Sequence, residues 1–155
     1  MVEESLRAIA EAWPELLVAA AGLGVLVGAG QAARRMGVPA AITRSTVHVG
    51  TGAFVVALPA FFPHPAPVTA LAVFFVLVNG GAWTTGRLGA LHAARPESFG
   101  TVTFPLALAV TAPFFWTPER QGLLQSAFLV LAVADPLGTA FGRRAPQSRR
   151  LVSST

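Results

Sequence analysis

Three short stretches hold most of the residue types in this chain that can do chemistry. Residues 132–144 read AVADPLGTAFGRR, an apolar run with Asp135 inside it and Arg143 and Arg144 closing it. Residues 44–50 read RSTVHVG, and Arg44 and His48, four apart, share one face of any helix formed there. Residues 95–101 read RPESFGT, where Arg95, Ser98, Gly100 and Thr101 lead into another apolar run. On a helix, Pro136 has no N–H to donate, so the Ala132 carbonyl is released close to the Asp135 carboxylate. Gly138 and Gly142, three and seven residues further on, leave room on the Asp135 face for a ligand or another helix. An ionisable group inside an apolar run is a functional candidate by default. The plainer alternative is an ion pair between Asp135 and Arg44 or Arg143. For the second stretch the alternative is a membrane-flanking arginine beside an interfacial histidine. For the third it is a loop pair between Arg95 and Glu97.

Composition decides what surrounds these residues. The chain has 155 residues, 54% of them hydrophobic and 12% charged, with a mean hydropathy of +0.62. Soluble domains carry roughly 25% charged residues, so the deficit points to a membrane protein. There is no Cys, which excludes disulfides and thiolate metal sites. All eleven basic residues are Arg, which excludes catalytic lysines, lysine Schiff bases and the Walker A phosphate loop. The net charge of +4 does not indicate nucleic acid, because the arginines lie in pairs between apolar runs and not along one solvated face. Glu3, Glu4, Glu11 and Glu15 make the first residues acidic, where a secretory signal has a basic region.

The elements that must position the reactive residues are apolar helices. Five runs follow one another, at about 13–33, 47–62, 66–83, 101–116 and 122–141. A spanning helix takes about 20 residues, with about 17 tolerated. The first, third and fifth meet this, and the second and fourth are marginal; a re-entrant second or fourth segment is the structural alternative. The expected fold is therefore all-α, a polytopic membrane bundle of about five helices forming a single domain, with a basic tail at 142–155. With the N-terminus outside, Arg34, Arg35, Arg44, Arg87, Arg95, Arg143, Arg144, Arg149 and Arg150 fall inside, against Arg7 and Arg120 outside. That bias predicts an N-out, C-in orientation in the cell membrane. Trp13, Trp83 and Trp116 fall at predicted helix ends, where an indole favours the headgroup level. Gly22, Gly24, Gly28 and Gly30 give the first helix small-residue faces, read as helix packing, with which self-association to a homo-oligomer is compatible.

In that orientation the reactive residues gather on the cytoplasmic side. The second helix is expected to open at Arg44, with Ser45 or Thr46 as its cap and free N–H groups suited to phosphate. Thr101 and its neighbours open the fourth helix in the same way. Asp135 lies seven residues before Gly142, about 10 Å from the inner end of the fifth helix. One carboxylate, one histidine, several arginines and two helix starts suit an anionic phosphate substrate carried with Mg²⁺. The bilayer position implies that the other substrate is a lipid.

These stretches resemble the CTP-dependent lipid kinases, the family that includes dolichol kinase, phytol kinase and the yeast-type diacylglycerol kinase. The resemblance rests on Arg44 to Gly52, on Ser98 to Leu106 and on Asp135 to Arg144, in that order, and covers about residues 40–145. It implies transfer of a phosphoryl group from CTP or another nucleoside triphosphate to the hydroxyl of a polyprenol, phytol or diacylglycerol. It implies Asp135 as Mg²⁺ ligand or hydroxyl-positioning group, and His48 as proton acceptor or phosphate ligand. Arg44, Arg143 and Arg144 would hold the triphosphate, with Ser98, Gly100, Thr101 and Gly142 in the elements around it. Ser45 stands where the family has Lys, and family members continue past the position of Arg144 with a Lys-Ser/Thr…Glu-Gly segment and further helices. A non-catalytic relative that binds lipid or serves as a scaffold, a phosphatidate cytidylyltransferase-like enzyme, and a small transporter are the other expectations.

Overall fold

The computed structural model describes residues 2–84 and 100–144, and every regular element among them is helical. Six helices follow in order: α1 Val2–Glu11, α2 Trp13–Arg35, α3 Ala40–Ala57, α4 Pro65–Thr84, α5 Gly100–Phe115 and α6 Pro118–Arg144. Four segments are long and apolar enough to cross a membrane: Trp13–Arg35, Ala40–Ala60, Pro65–Ala82 and Pro118–Gly138. The fourth apolar run gives the 16-residue α5, about 24 Å long against a hydrocarbon core of about 30 Å.

Local chemistry sets the ends of these helices. α2 stops at Gly37, whose φ of 89° suits a residue without Cβ. The Val38 and Gly37 amides close back on the Ala33 and Arg34 carbonyls at 3.0 and 3.1 Å, the paired bonds of a Schellman stop. Pro39 then precedes α3 as its N-cap. α3 tightens into a 3₁₀ turn at Leu58–Ala60, and His64 Nδ1 accepts the Ala66 amide at 3.1 Å to cap the start of α4. Pro118 sits at the first position of α6, where its missing N–H costs nothing.

α3 runs antiparallel to both α2 and α6, and its close approaches to them use glycine. A Cβ on Gly30 would strike Val47, and one on Gly50 would strike Leu26, which sets α2 against α3. A Cβ on Gly52 would strike Ala132, which sets α3 against α6. Gln125 Nε2 also donates to the Val56 carbonyl across the α3–α6 contact at 2.8 Å. α4 pairs with α5. The α2–α3–α6 group and the α4–α5 pair meet most tightly at one end of the molecule. There Leu58, Phe62, Val68, Leu71, Ala112 and Trp116 are buried together, and Trp116 Nε1 donates to the Phe62 carbonyl at 2.8 Å. Elsewhere large apolar side chains point outward, such as Val18, Val25 and Leu77. In lipid such surfaces need no covering, and helix association rests on close packing and polar contacts.

Four details differ from the sequence reading. α1 was not expected; Val2, Leu6 and Ile9 give it an apolar face, and Glu3 and Arg7 pair across one turn at 2.8 Å. α3 begins at Ala40, one turn before Arg44, so Ser45 and Thr46 lie inside the helix and neither caps it. Gly22, Gly24 and Gly28 have nothing within 4 Å of a built Cβ, and the packing glycine of α2 is Gly30. Trp116 is buried in the core end and does not lie at an exposed interface.

Candidate functional site

Between the two helix groups, away from the Trp116 end, lies a cavity of about 610 Å³. α3 forms one wall with Arg44, Val47, His48, Thr51, Phe54 and Leu58, and α4 and α5 form the other. The lining is sorted by depth. Arg44 and His48 lie in the first half of α3, Asn79 is near the end of α4, and Thr101 and Thr103 are in the first turn of α5. These polar residues share one end. Leu58, Leu71, Ala72 and Leu108 close the other, beside the buried core.

Two prolines prepare the polar end. In α5, Pro105 has no N–H for the Thr101 carbonyl four residues before it. Asn79 Nδ2 takes that place, donating to the Thr101 carbonyl at 2.8 Å, and so ties the end of α4 to the start of α5. In α6, Pro136 likewise withdraws the partner of the Ala132 carbonyl, yet the helix continues to Arg144. Next to this interrupted turn, His48 Nε2 lies 3.3 Å from the Leu131 carbonyl. A carbonyl only accepts, so this bond puts the proton on Nε2 and leaves Nδ1 as the acceptor of the ring. The imidazole also meets Phe104 edge-on with ring centres 5.3 Å apart, and Phe104 meets Phe128 at 5.2 Å. The orientation of His48 is thus fixed from both α5 and α6. Thr51 Oγ1 is turned back to the Val47 carbonyl at 2.8 Å.

Arg44, His48 and Thr101, three of the residues expected at a site, line this one cavity. Gly100 opens α5 beside Thr101. The α3–α6 register pairs Val56 with Gln125, Gly52 with Ala132 and His48 with Leu131. Asp135 is one turn beyond Leu131 on α6, so its backbone stands level with the Ser45–His48 turn. Gly142, Arg143 and Arg144 continue the same helix, but the side chains of Asp135, Arg143 and Arg144 are outside the described part, as is Ser98. Sequence reasoning missed Asn79, Thr103 and Phe104. Asn79 had a signal: it is a lone amide in the apolar run of α4, placed 22 residues before a carbonyl that a proline frees.

Among the described residues no three His, Asp or Glu side chains gather as a metal site. Mg²⁺ that arrives on a triphosphate needs only one or two protein carboxylates, with phosphate oxygens and water completing its shell. Asp135 is the one acid on the described helices whose backbone stands level with the Arg44–His48 turn; Glu3, Glu4 and Glu11 lie on α1, and Glu15 and Glu119 lie in the first turns of α2 and α6.

Fold and cavity together define an all-helical protein with four membrane-length helices and an amphipathic cleft. No protein-family profile, curated protein or solved structure matches the chain.

Proposed function

We propose that this protein is a membrane-embedded lipid kinase that transfers the γ-phosphoryl group of CTP, or another nucleoside triphosphate, to the hydroxyl of a lipid alcohol. The observation that carries the reading is the sorted cleft: Arg44, His48 and Thr101, from two of the motif stretches, stand at its polar end, and its other end is apolar. The bundle lies in the cell membrane with five helices spanning, the short α5 thinning the bilayer locally. Its N-terminus is outside, and the Arg44 end of the cleft faces the cytoplasm, as the nine-to-two distribution of arginines favours.

In this reading Arg44, with Arg143 and Arg144 at the end of α6, holds the triphosphate, and the first turn of α5 at Gly100 and Thr101, with Ser98 before it, offers further phosphate donors. Bound Mg²⁺ would offset negative charge on the phosphates, with Asp135 as its protein carboxylate. His48 accepts the proton of the lipid hydroxyl on Nδ1 while Nε2–H stays on the Leu131 carbonyl. The lipid oxygen bonds to the γ-phosphorus, the bond from that phosphorus to the bridging oxygen breaks, and the nucleoside diphosphate leaves. Catalysis of this kind rests on positioning and charge stabilisation.

The test is product analysis with the full chain in lipid vesicles, Mg²⁺, a panel of nucleoside triphosphates and lipid alcohols. A phosphorylated lipid and a nucleoside diphosphate are the expected products. A CDP-lipid with pyrophosphate would identify cytidylyl transfer, and no product from a folded protein would leave a lipid-binding role.

A further inference from the structure

The apolar half of the cleft has a definite length and a closed end. From His48 to Leu58, the first residue of the 3₁₀ turn that follows α3, is ten residues, about 15 Å along the helix, and half a bilayer hydrocarbon core is also about 15 Å. The far end is shut by Leu58, 2% exposed, and by the Leu71, Ala72 and Leu108 side chains, all buried. Phe54 and Phe75 line its sides from α3 and α4. Arg44, His48, Asn79, Thr101 and Thr103 gather at the other end, where the Asn79 amide is held in place by its bond to Thr101, and the Thr51 hydroxyl between the two ends is taken up by the Val47 carbonyl. Such an arrangement matches one amphiphile of a single leaflet, standing in its bilayer orientation with its hydroxyl at the headgroup level.

We infer that the Leu58–Leu71–Ala72–Leu108 end of the cleft is a tail pocket for the hydrocarbon chain of a lipid alcohol drawn from the leaflet at the Arg44 end, and that Ala72 sets how much chain it admits. This deepens the kinase reading and rests on it for the identity of the ligand as the phosphoryl acceptor. The Ala72 methyl is 3% exposed and lies on the cavity wall. A phenyl ring there displaces about two methylenes of the ligand, and each buried methylene is worth about fourfold in affinity, so Ala72→Phe weakens a long-chain alcohol about 15-fold. A short alcohol that never reaches Ala72 is unaffected. Phe75→Ala enlarges the same space and serves as the opposite variant.

The experiment uses the full chain in vesicles, without nucleotide, and hexadecanol carrying a diazirine at its tail end. Photolysis is expected to label the Leu71–Phe75 and Ala107–Leu108 segments. Unlabelled hexadecanol should compete while octanol does so poorly. Labelling should fall about 15-fold in Ala72→Phe and persist in Phe75→Ala, with unchanged helical circular dichroism in both. Label confined to outward residues such as Leu77, Val110 and Val130, and insensitive to Ala72→Phe, overturns the tail pocket. Pocket labelling in a protein that phosphorylates no lipid upholds this inference and removes the kinase reading. Phosphorylation without pocket labelling does the reverse.

Discussion

His48 is held at two points, by its Nε2–H bond to the Leu131 carbonyl and by the edge of Phe104. A glutamine at this position reaches the same carbonyl with an amide N–H but has no basic nitrogen. His48→Gln is therefore expected to keep the α3–α6 contact, with a thermal midpoint close to wild type, while phosphoryl transfer falls about 100- to 10,000-fold. Transfer at the wild-type rate in that variant would show that the ring only spaces the helices. Arg44→Lys asks a related question of charge against shape. An ammonium keeps the charge but loses the planar fork, so the nucleotide KM rises more than kcat falls.

At the scale of the helices, side chains tie the polar end of the cleft to carbonyls of neighbouring helices: Asn79 reaches the Thr101 carbonyl that Pro105 frees, and His48 reaches the Leu131 carbonyl, next to the one that Pro136 frees. Removing Asn79 by substitution to Ala strands the Thr101 carbonyl and is expected to destabilise the protein by about 1–3 kcal/mol. Restoring the backbone N–H with Pro105→Ala gives that carbonyl an intrahelical partner. Asn79→Ala should then cost much less in the Pro105→Ala background, a coupling that a double-mutant cycle in reversible denaturation measures. Additive costs would mean that Asn79 does not replace the missing bond. Glycines separate in the same way. Gly52→Ala pushes on Ala132 and should destabilise by about 1–3 kcal/mol, whereas Gly24→Ala, facing open space, should be neutral or stabilising by up to about 1 kcal/mol. The helix runs were legible from hydropathy because lipid-facing residues and spanning length write themselves into composition. Which glycine packs was not, since Gly24 and Gly28 have the same spacing signature as a true contact and only the crossing point of α2 and α3 selects Gly30. The α3 start was misplaced for a related reason. Arg44 is polar enough to look like a boundary, but Pro39 and two alanines begin the helix a turn earlier, and an arginine side chain can reach out from inside it.

For the molecule as a whole, the account needs both a direction in the membrane and a reaction. The chain has no cysteine, so single-cysteine variants report sidedness without background. Thr117→Cys, at the α5–α6 turn, should react with an impermeant maleimide from outside intact cells, and Ser98→Cys only after lysis. The opposite pattern would reverse the arginine argument. The meeting of Arg44, His48 and Thr101 at one cavity could be anticipated from their place at the common end of two helices, but its apolar half could not, because Phe54, Leu71, Ala72 and Leu108 carry no pattern that separates a cavity wall from a packed core. The most direct measurement is the transfer of label from γ-labelled CTP and Mg²⁺ to long-chain lipid alcohols in vesicles, comparing wild type with Asp135→Asn. The account predicts a labelled lipid phosphate from wild type and a loss of at least about 100-fold in the variant. Equal transfer by both proteins, or none from folded wild type with any nucleoside triphosphate, would contradict it.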